Sequence, residues 1–193
     1  MALNFRGEKV VDVAAWLEHY FQGIAFGLMD GLIVLLGLLI GLSEATGEAR
    51  IVIIGGIIGG IANSFGNAIG FYTSESAERG QQLNFYKEKK ARASHQFIHS
   101  HADILFSALA AFFSTLAALV LPIAPFFALP SLGQAMVLSA CIAIIMLAAL
   151  GYFIGKMSEG NGWTSSVKYV ALGFVGAGLG FFVGDVLKHL LGG

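Results

Sequence analysis

One carboxylate of this sequence stands in the middle of a long apolar run. Asp30 lies within residues 21–42, where almost every neighbour is glycine or a large aliphatic residue. Placing an ionised carboxylate at the centre of a bilayer costs about 2.5–3.5 kcal/mol on insertion scales, so the group is kept only where it faces a cavity, a cation or a partner. We therefore predict that Asp30 binds a cation or a proton. The alternative is a carboxyl that hydrogen-bonds a neighbouring helix.

Two amides occupy the next apolar run. Asn63 and Asn67 are four residues apart, so on a helix they share one face. Asparagine oxygens are good ligands for hard cations, and the same amides also form hydrogen bonds between helices. We predict a metal site made by these two residues and Asp30, with packing between helices as the alternative.

Two carboxylates follow the second run just beyond its apolar part. Glu75 and Glu78 are three residues apart and would share a helix face. They are predicted to gather cations at a cytoplasmic entrance. A solvated helix surface, with a salt bridge to Arg79, explains them equally well.

A second entrance group contains two histidines and an aspartate. His95, His99 and Asp103 are spaced by four, and one helix face would present nitrogen and oxygen ligands suited to a first-row transition metal. His101 lies off that face. The alternative is that these are polar residues at a membrane boundary.

Other kinds of function find no support in the sequence. It contains no Gly-x-Ser-x-Gly, phosphate-binding loop or His-Glu-x-x-His, so we do not predict an enzyme or a cofactor. A net charge of −1 gives no reason to expect a nucleic-acid partner. The single cysteine, Cys141, excludes an intrachain disulfide and a cysteine-based zinc cluster.

The composition predicts an all-α polytopic membrane protein. Hydrophobic residues make up 56% of the 193 residues and charged residues 12%, about half the usual charged fraction of a soluble domain. Five runs are long enough for helices across about 30 Å of hydrocarbon, and helices satisfy their own backbone there. We expect a single membrane domain over residues 1–193, with a loop over 122–131 that contains three prolines. The predicted spans are residues 21–42, 51–72, 104–121, 132–154 and 169–187.

Charge sets the expected orientation. Nine of the eleven Lys and Arg residues lie before span one, between spans two and three, or beside the loop between spans four and five. Basic residues favour the cytoplasm, so the N-terminus is predicted inside and the C-terminus outside. Residues 1–20 are expected to form an amphipathic interfacial helix, and residues 74–102 a cytoplasmic loop with a helical extension of span two. No cleavable signal peptide is evident.

Glycines recur at intervals of four in spans one, two and five. Such stripes let helices approach closely in lipid. They indicate either packing within one protomer or the seam of a homodimer. We expect these three spans to form the tight centre and spans three and four to face lipid. The stripes are Gly23, Gly27 and Gly31; Gly56 and Gly60, then Gly66 and Gly70; and Gly176, Gly180 and Gly184.

Two segments resemble the vacuolar iron transporter family. Residues 27–42, which begin Gly-Leu-Met-Asp-Gly-Leu, resemble its first span, where an Asp-Gly pair precedes a run rich in small residues. Residues 60–78 resemble its second span, which ends in Gly-x-Tyr and a Ser-Glu tail. The resemblance covers roughly residues 20–80. It implies a five-span dimer that moves ferrous iron, and sometimes manganese, out of the cytosol in exchange for protons, with Asp30 in the transport path.

The sequence departs from that family at two ligand positions. Gly59 stands where the family carries a glutamate, and Asn67 where it carries a methionine. The long metal-collecting domain is reduced to residues 74–102. Losing a soft thioether ligand shifts the preference toward harder ions such as manganese. The resulting hypothesis is a dimeric iron or manganese transporter in a prokaryotic plasma membrane. Its rival is a non-transporting scaffold or partner-binding protein that keeps the fold.

Overall fold

Five long helices make up most of the described part of the protein. A computed structural model describes residues 2–3, 9–10, 13–89, 100–158 and 160–191, with side chains from residue 21 onward except 85–89. All five helices are long and apolar enough to cross a membrane, which confirms the predicted polytopic helical fold. The elements are β1 Ala2–Leu3, β2 Lys9–Val10, α1 Val13–Thr46, α2 Ala49–Lys89, α3 His101–Ala128, α4 Leu132–Met157 and α5 Gly162–Leu191.

The N-terminal part differs from a continuous helix over residues 1–20. Ala2–Leu3 pairs antiparallel with Lys9–Val10, and α1 begins at Val13 and enters the first span without a break. The side chains of residues 13–20 lie outside the described part. The interfacial position of this stretch, and the inside location of the N-terminus, therefore stay predictions.

A very short turn joins α1 to α2. Only Gly47 and Glu48 separate the two helices, and Gly47 has a φ of 66°. This left-handed conformation suits glycine because it has no β-carbon. The Gly47 amide donates to the Ser43 carbonyl at 3.0 Å, and the Glu48 amide donates to Thr46 Oγ1 at 3.3 Å. The loop expected here is thus reduced to a two-residue hairpin turn.

The proline segment predicted as a loop over 122–131 is mostly helical. Pro122 and Pro125 lie inside α3 and are buried, and the helix ends only at Ala128. The Leu129 amide then donates to the Pro125 carbonyl at 2.9 Å. Proline is tolerated in membrane helices because neighbouring helices and local adjustments satisfy the freed backbone groups. The prediction was wrong because it treated proline as it behaves in soluble helices.

The expected division into central and lipid-facing helices is also wrong. α1 contacts the other four helices, but the next most buried span is α3, with 39% of its span buried against 11% for α5. The stripe on α3 is made of alanine in place of glycine: Ala108, Ala111 and Ala118 are all buried. Alanine lets backbones approach nearly as closely, so a search for glycine alone misses this helix.

Most glycines of α1 and α5 are used within the protomer. A β-carbon on Gly31 would come within 2.9 Å of the Ala118 methyl, and one on Gly184 would meet the Gly41 carbonyl oxygen. On α2, in contrast, Gly66 and Gly70 have nothing within 4 Å of a β-carbon position. Packing within the protomer thus explains the stripes of α1 and α5, and leaves the second stripe of α2 open.

Candidate cation site

The aspartate of α1 meets both asparagines of α2. Oδ2 of Asp30 accepts hydrogen bonds from Nδ2 of Asn63 and from Nδ2 of Asn67, each at 2.9 Å. Asp30 is half-buried, whereas Asn67 is only 9% exposed. The hairpin turn holds α1 and α2 side by side, and the spacing of four residues puts the two amides on the same face of α2. The structure therefore brings together the three residues predicted for the metal site.

The two oxygens of this carboxylate differ. Oδ2 receives two N–H donors, which occupy both of its lone pairs. Among the described side chains, none donates to Oδ1, and the half-exposed Asp30 leaves that oxygen as the open acceptor. In this arrangement the amides present nitrogen and not oxygen to the aspartate. A cation could bind Oδ1 directly, but the amide oxygens would reach it only after the amides turn.

A threonine of α3 completes the cluster. Nδ2 of Asn67 also donates to Oγ1 of Thr115 at 3.0 Å, and that hydroxyl donates to the Ala111 carbonyl at 2.8 Å. Thr115 is fully buried. Thr115 is not among the site residues predicted from the sequence, although a threonine within an apolar span is a usable signal. The site therefore involves three helices and not two.

Two further residues of α2 extend this face beyond Asn67. Phe71 and Glu75 follow Asn67 one and two turns further along, and both are buried, Glu75 at 7% exposure. The Phe71 ring contacts Phe26 of α1, with centroids 5.8 Å apart. Phe26 itself precedes Asp30 by one helical turn. An aromatic pair thus separates Glu75 from the Asp30 cluster.

Gly59 marks the opposite end of that face. It lies one turn before Asn63, on the side nearer the hairpin turn. A β-carbon here would meet the Leu38 side chain at 2.6 Å. No carboxylate occupies this position, and a leucine side chain fills the adjoining space.

The predicted cytoplasmic entrance is only partly in the described region. Glu78 is exposed and accepts a hydrogen bond from Gln82 Nε2 at 3.2 Å. Arg79, considered as a partner of the glutamates, has its Nη1 against Nε2 of His101 on α3. His95 and His99 lie outside the described residues, so their grouping stays a prediction.

Asp103 caps the N-terminus of α3. It is the third residue of α3, where its carboxylate accepts from the Ser100 amide at 3.0 Å while Ser100 Oγ accepts from the Asp103 amide at 3.1 Å. This reciprocal pair is a capping box, which satisfies donors at the helix start. A role at the entrance would be additional to this one.

The donor set around Asp30 is oxygen-rich and contains one charge. In the part of the chain that the structure describes, no three His, Cys, Asp or Glu side chains are grouped to hold a metal. The cluster offers the negative charge of Asp30, two side-chain amides that can rotate, and the Thr115 hydroxyl. That set suits weak, reversible binding of a hard cation better than permanent sequestration.

A family model and one curated relative match most of the chain. The family model described as the VIT family matches residues 21–104 and 84–185. An uncharacterized protein of Methanocaldococcus jannaschii is 34% identical over 154 residues, covering 77% of this chain and 80% of that protein. Both matches extend well beyond the two spans on which the resemblance rested.

Five helices of the described part are long and apolar enough to cross a membrane, which defines a polytopic integral membrane protein. The chain belongs to the VIT family, a family of membrane metal-ion transporters. Membership at this level is consistent with the absence of enzyme motifs noted in the sequence.

Proposed function

We propose that this protein moves a divalent transition-metal cation, iron or manganese, out of the cytosol. The observation that carries the proposal is the Asp30 cluster: a carboxylate within a helix long and apolar enough to cross a membrane, with one oxygen held by two amides and the other left open. A charge at this depth is costly unless a cation or a polar path compensates for it. Family membership supports the same reading.

The ligand chemistry favours manganese over iron. Asn67 provides an amide at the position where the vacuolar iron transporter family carries a methionine thioether. The candidate ligand atoms in the described cluster are therefore oxygens. Oxygen donors suit harder cations, whereas sulfur selects softer ones. We expect manganese transport at least as efficient as that of ferrous iron.

Proton coupling follows from competition at a single group. A carboxylate can hold a proton or a cation, but the same oxygen cannot hold both. If Oδ1 of Asp30 releases a cation on one side and takes up a proton for the return step, the two movements are exchanged. Proton-coupled export would then require no second acidic residue in the membrane.

A homodimer is the proposed assembly, in a prokaryotic plasma membrane. The open stripe of Gly66 and Gly70 on α2 supports a close helix–helix contact, because small residues without a neighbour in the protomer leave room for one. Phe26 and Val34 extend the exposed face of α1 on either side of Asp30. A second copy packed here would enclose the half-buried carboxylate.

The test is the isosteric Asp30→Asn variant in proteoliposomes. It keeps the side-chain shape but removes the charge, so we expect loss of manganese and iron flux while the protein stays folded and dimeric. Asp185→Asn, which neutralises a half-buried carboxylate of α5, is the matched control and should transport normally. Wild-type flux in the Asp30→Asn variant would refute the site.

The alternative is a non-transporting scaffold that keeps the fold. It is favoured by the hydrogen bonds that tie Asp30 to α2, which equally serve as a link between helices. Four grooves in the described surface are apolar, and Asp30 lines none of them. A scaffold would show neither flux nor a thermal shift with iron, manganese, cobalt or zinc, whereas a transporter shows both for its substrate.

A further inference from the structure

We propose that Thr115 is a positioning residue that fixes which end of the Asn67 amide faces Asp30. The inference rests on the proposed function, because it concerns how the cation site is held when it is empty. It starts from a chain of three bonds that joins α1, α2 and α3: Asp30 to Asn67, Asn67 to Thr115, and Thr115 to the Ala111 carbonyl.

The orientation of the amide follows from the hydroxyl. Thr115 Oγ1 has one hydrogen, and it is donated to the Ala111 carbonyl at 2.8 Å. The hydroxyl can therefore only accept from Asn67, so the Asn67 atom 3.0 Å away must be the nitrogen. With one amide hydrogen on Thr115, the other is directed to Oδ2 of Asp30 at 2.9 Å. Thr115 thus holds Asn67 as a donor to the carboxylate.

The close packing of α1 on α3 makes this arrangement possible. A β-carbon on Gly27 would lie 2.9 Å from Thr115 Oγ1, and one on Gly31 would lie 3.1 Å from the Thr115 carbonyl. Side chains at these two positions would push α3 away. The glycine stripe of α1 therefore places the hydroxyl within reach of the asparagine on α2.

A cation at Asp30 opposes the arrangement. The amide N–H₂ carries partial positive charge, so it competes with a metal for the carboxylate, and Asn67 contributes an oxygen ligand only after its amide turns over. In the turned state Thr115 can still donate to the amide oxygen, but it must give up its bond to Ala111. Thr115 therefore favours the nitrogen-inward, cation-free state by about one hydrogen bond.

Thr115→Val removes this preference at nearly constant volume. Neither orientation of the amide then has a hydroxyl partner, so the penalty for turning disappears. We expect the equilibrium dissociation constant for Mn²⁺ to fall by roughly two- to tenfold, the equivalent of one net hydrogen bond, with a lower kcat because release is slower. A role in packing alone would predict the opposite, since a loosened site binds more weakly.

Two further variants make the test specific. Thr115→Ser keeps the hydroxyl and should restore wild-type affinity and kcat. Ser114→Ala removes the adjacent buried hydroxyl, which donates to the same Ala111 carbonyl at 3.1 Å but does not touch Asn67, and should change neither. Mn²⁺ binding is measured by electron paramagnetic resonance on the full chain in nanodiscs, and kcat in proteoliposomes.

A second readout separates this inference from the proposed function. Asparagine-selective ¹⁵N labelling reports the Asn67 side-chain amide without any metal. We expect its resonances to shift in Thr115→Val, to return in Thr115→Ser and to stay unchanged in Ser114→Ala. No Mn²⁺ binding by the wild type, with these shifts present, would defeat the proposed function alone. Unchanged amide resonances in Thr115→Val, or weaker Mn²⁺ binding that Thr115→Ser does not restore, would overturn the role of Thr115.

Discussion

Gly180 of α5 faces Gly37 of α1 so closely that a β-carbon on Gly180 would collide with the Gly37 carbonyl oxygen. The contact is therefore between backbones, with no side chain that could move aside. It fixes α5 to α1 along a narrow stripe, although only 11% of the α5 span is buried.

Replacing this glycine tests the stripe. Gly180→Ala should lower stability by roughly 1–3 kcal/mol, the usual cost of overpacking a close contact, because one of the two helices must shift. Gly178→Ala, with nothing within 4 Å of its β-carbon position, is the matched control on the same helix and should unfold as the wild type does. Thermal unfolding in detergent measures both. Equal unfolding temperatures for the two variants would contradict the close approach.

The open stripe of α2 gives a prediction about assembly. Gly66→Leu should shift the proposed homodimer to monomer without lowering the unfolding temperature of the protomer, since a β-carbon at this position has nothing within 4 Å. Gly178→Leu places the same side chain at an open position of α5 and should leave the dimer intact. Light scattering after size-exclusion chromatography gives the mass. If Gly178→Leu dissociates the dimer and Gly66→Leu does not, the dimer interface is not on α2.

The aromatic pair Phe26 and Phe71, between Asp30 and Glu75, predicts an effect on the rate of transport. Hydrophobic constrictions limit passage by excluding water, so Phe71→Ala should raise the initial rate of cation entry into the site and increase proton leak in proteoliposomes. Phe65→Ala removes the ring that contacts Phe112 of α3 at 5.0 Å, away from the Asp30 face, and should have no such effect. A pH-sensitive dye inside the vesicles reports the leak. Equal proton leak in the two variants would mean that the cation path does not pass Phe71.

Orientation can be tested with single cysteines. In a Cys141→Ala background, Glu48→Cys in the α1–α2 turn should react with a membrane-impermeant thiol reagent added outside intact cells. Ser158→Cys, which follows α4, should react only after the cells are opened. These outcomes follow from the distribution of Lys and Arg, which favours the cytoplasm. The reverse labelling pattern would invert the topology.

The sequence predicted the spans well because long apolar runs in lipid have few alternatives to a helix. It also identified Asp30, Asn63 and Asn67, since polar groups are conspicuous in such runs and their spacing of four fixes a shared face. The orientation of the Asn67 amide could not be predicted. Asn67 bonds Thr115, which lies 48 residues further along the chain and approaches only through tertiary packing.

The two wrong predictions concern proline and glycine, residue types whose effect depends on the helices packed around them. Pro122 and Pro125 were expected to break α3, yet both are buried within it. Glycine stripes predict central helices, and this expectation leaves out α3, whose stripe is alanine. In both cases the residue type shows which backbone conformations are possible, whereas packing against the neighbouring helices determines which conformation forms.

The two-residue turn at Gly47 restricts how the Asp30 cluster can open. With so short a link, α1 and α2 cannot slide lengthwise past each other. Asp30 and Asn63 lie at nearly equal numbers of residues from Gly47, so the bond between them crosses the hairpin at one level. A movement that separates the aspartate from the two amides must then increase the angle between the two helices, with the turn as the hinge. The turn serves as a pivot, and the opening widens with distance from it, toward Glu75.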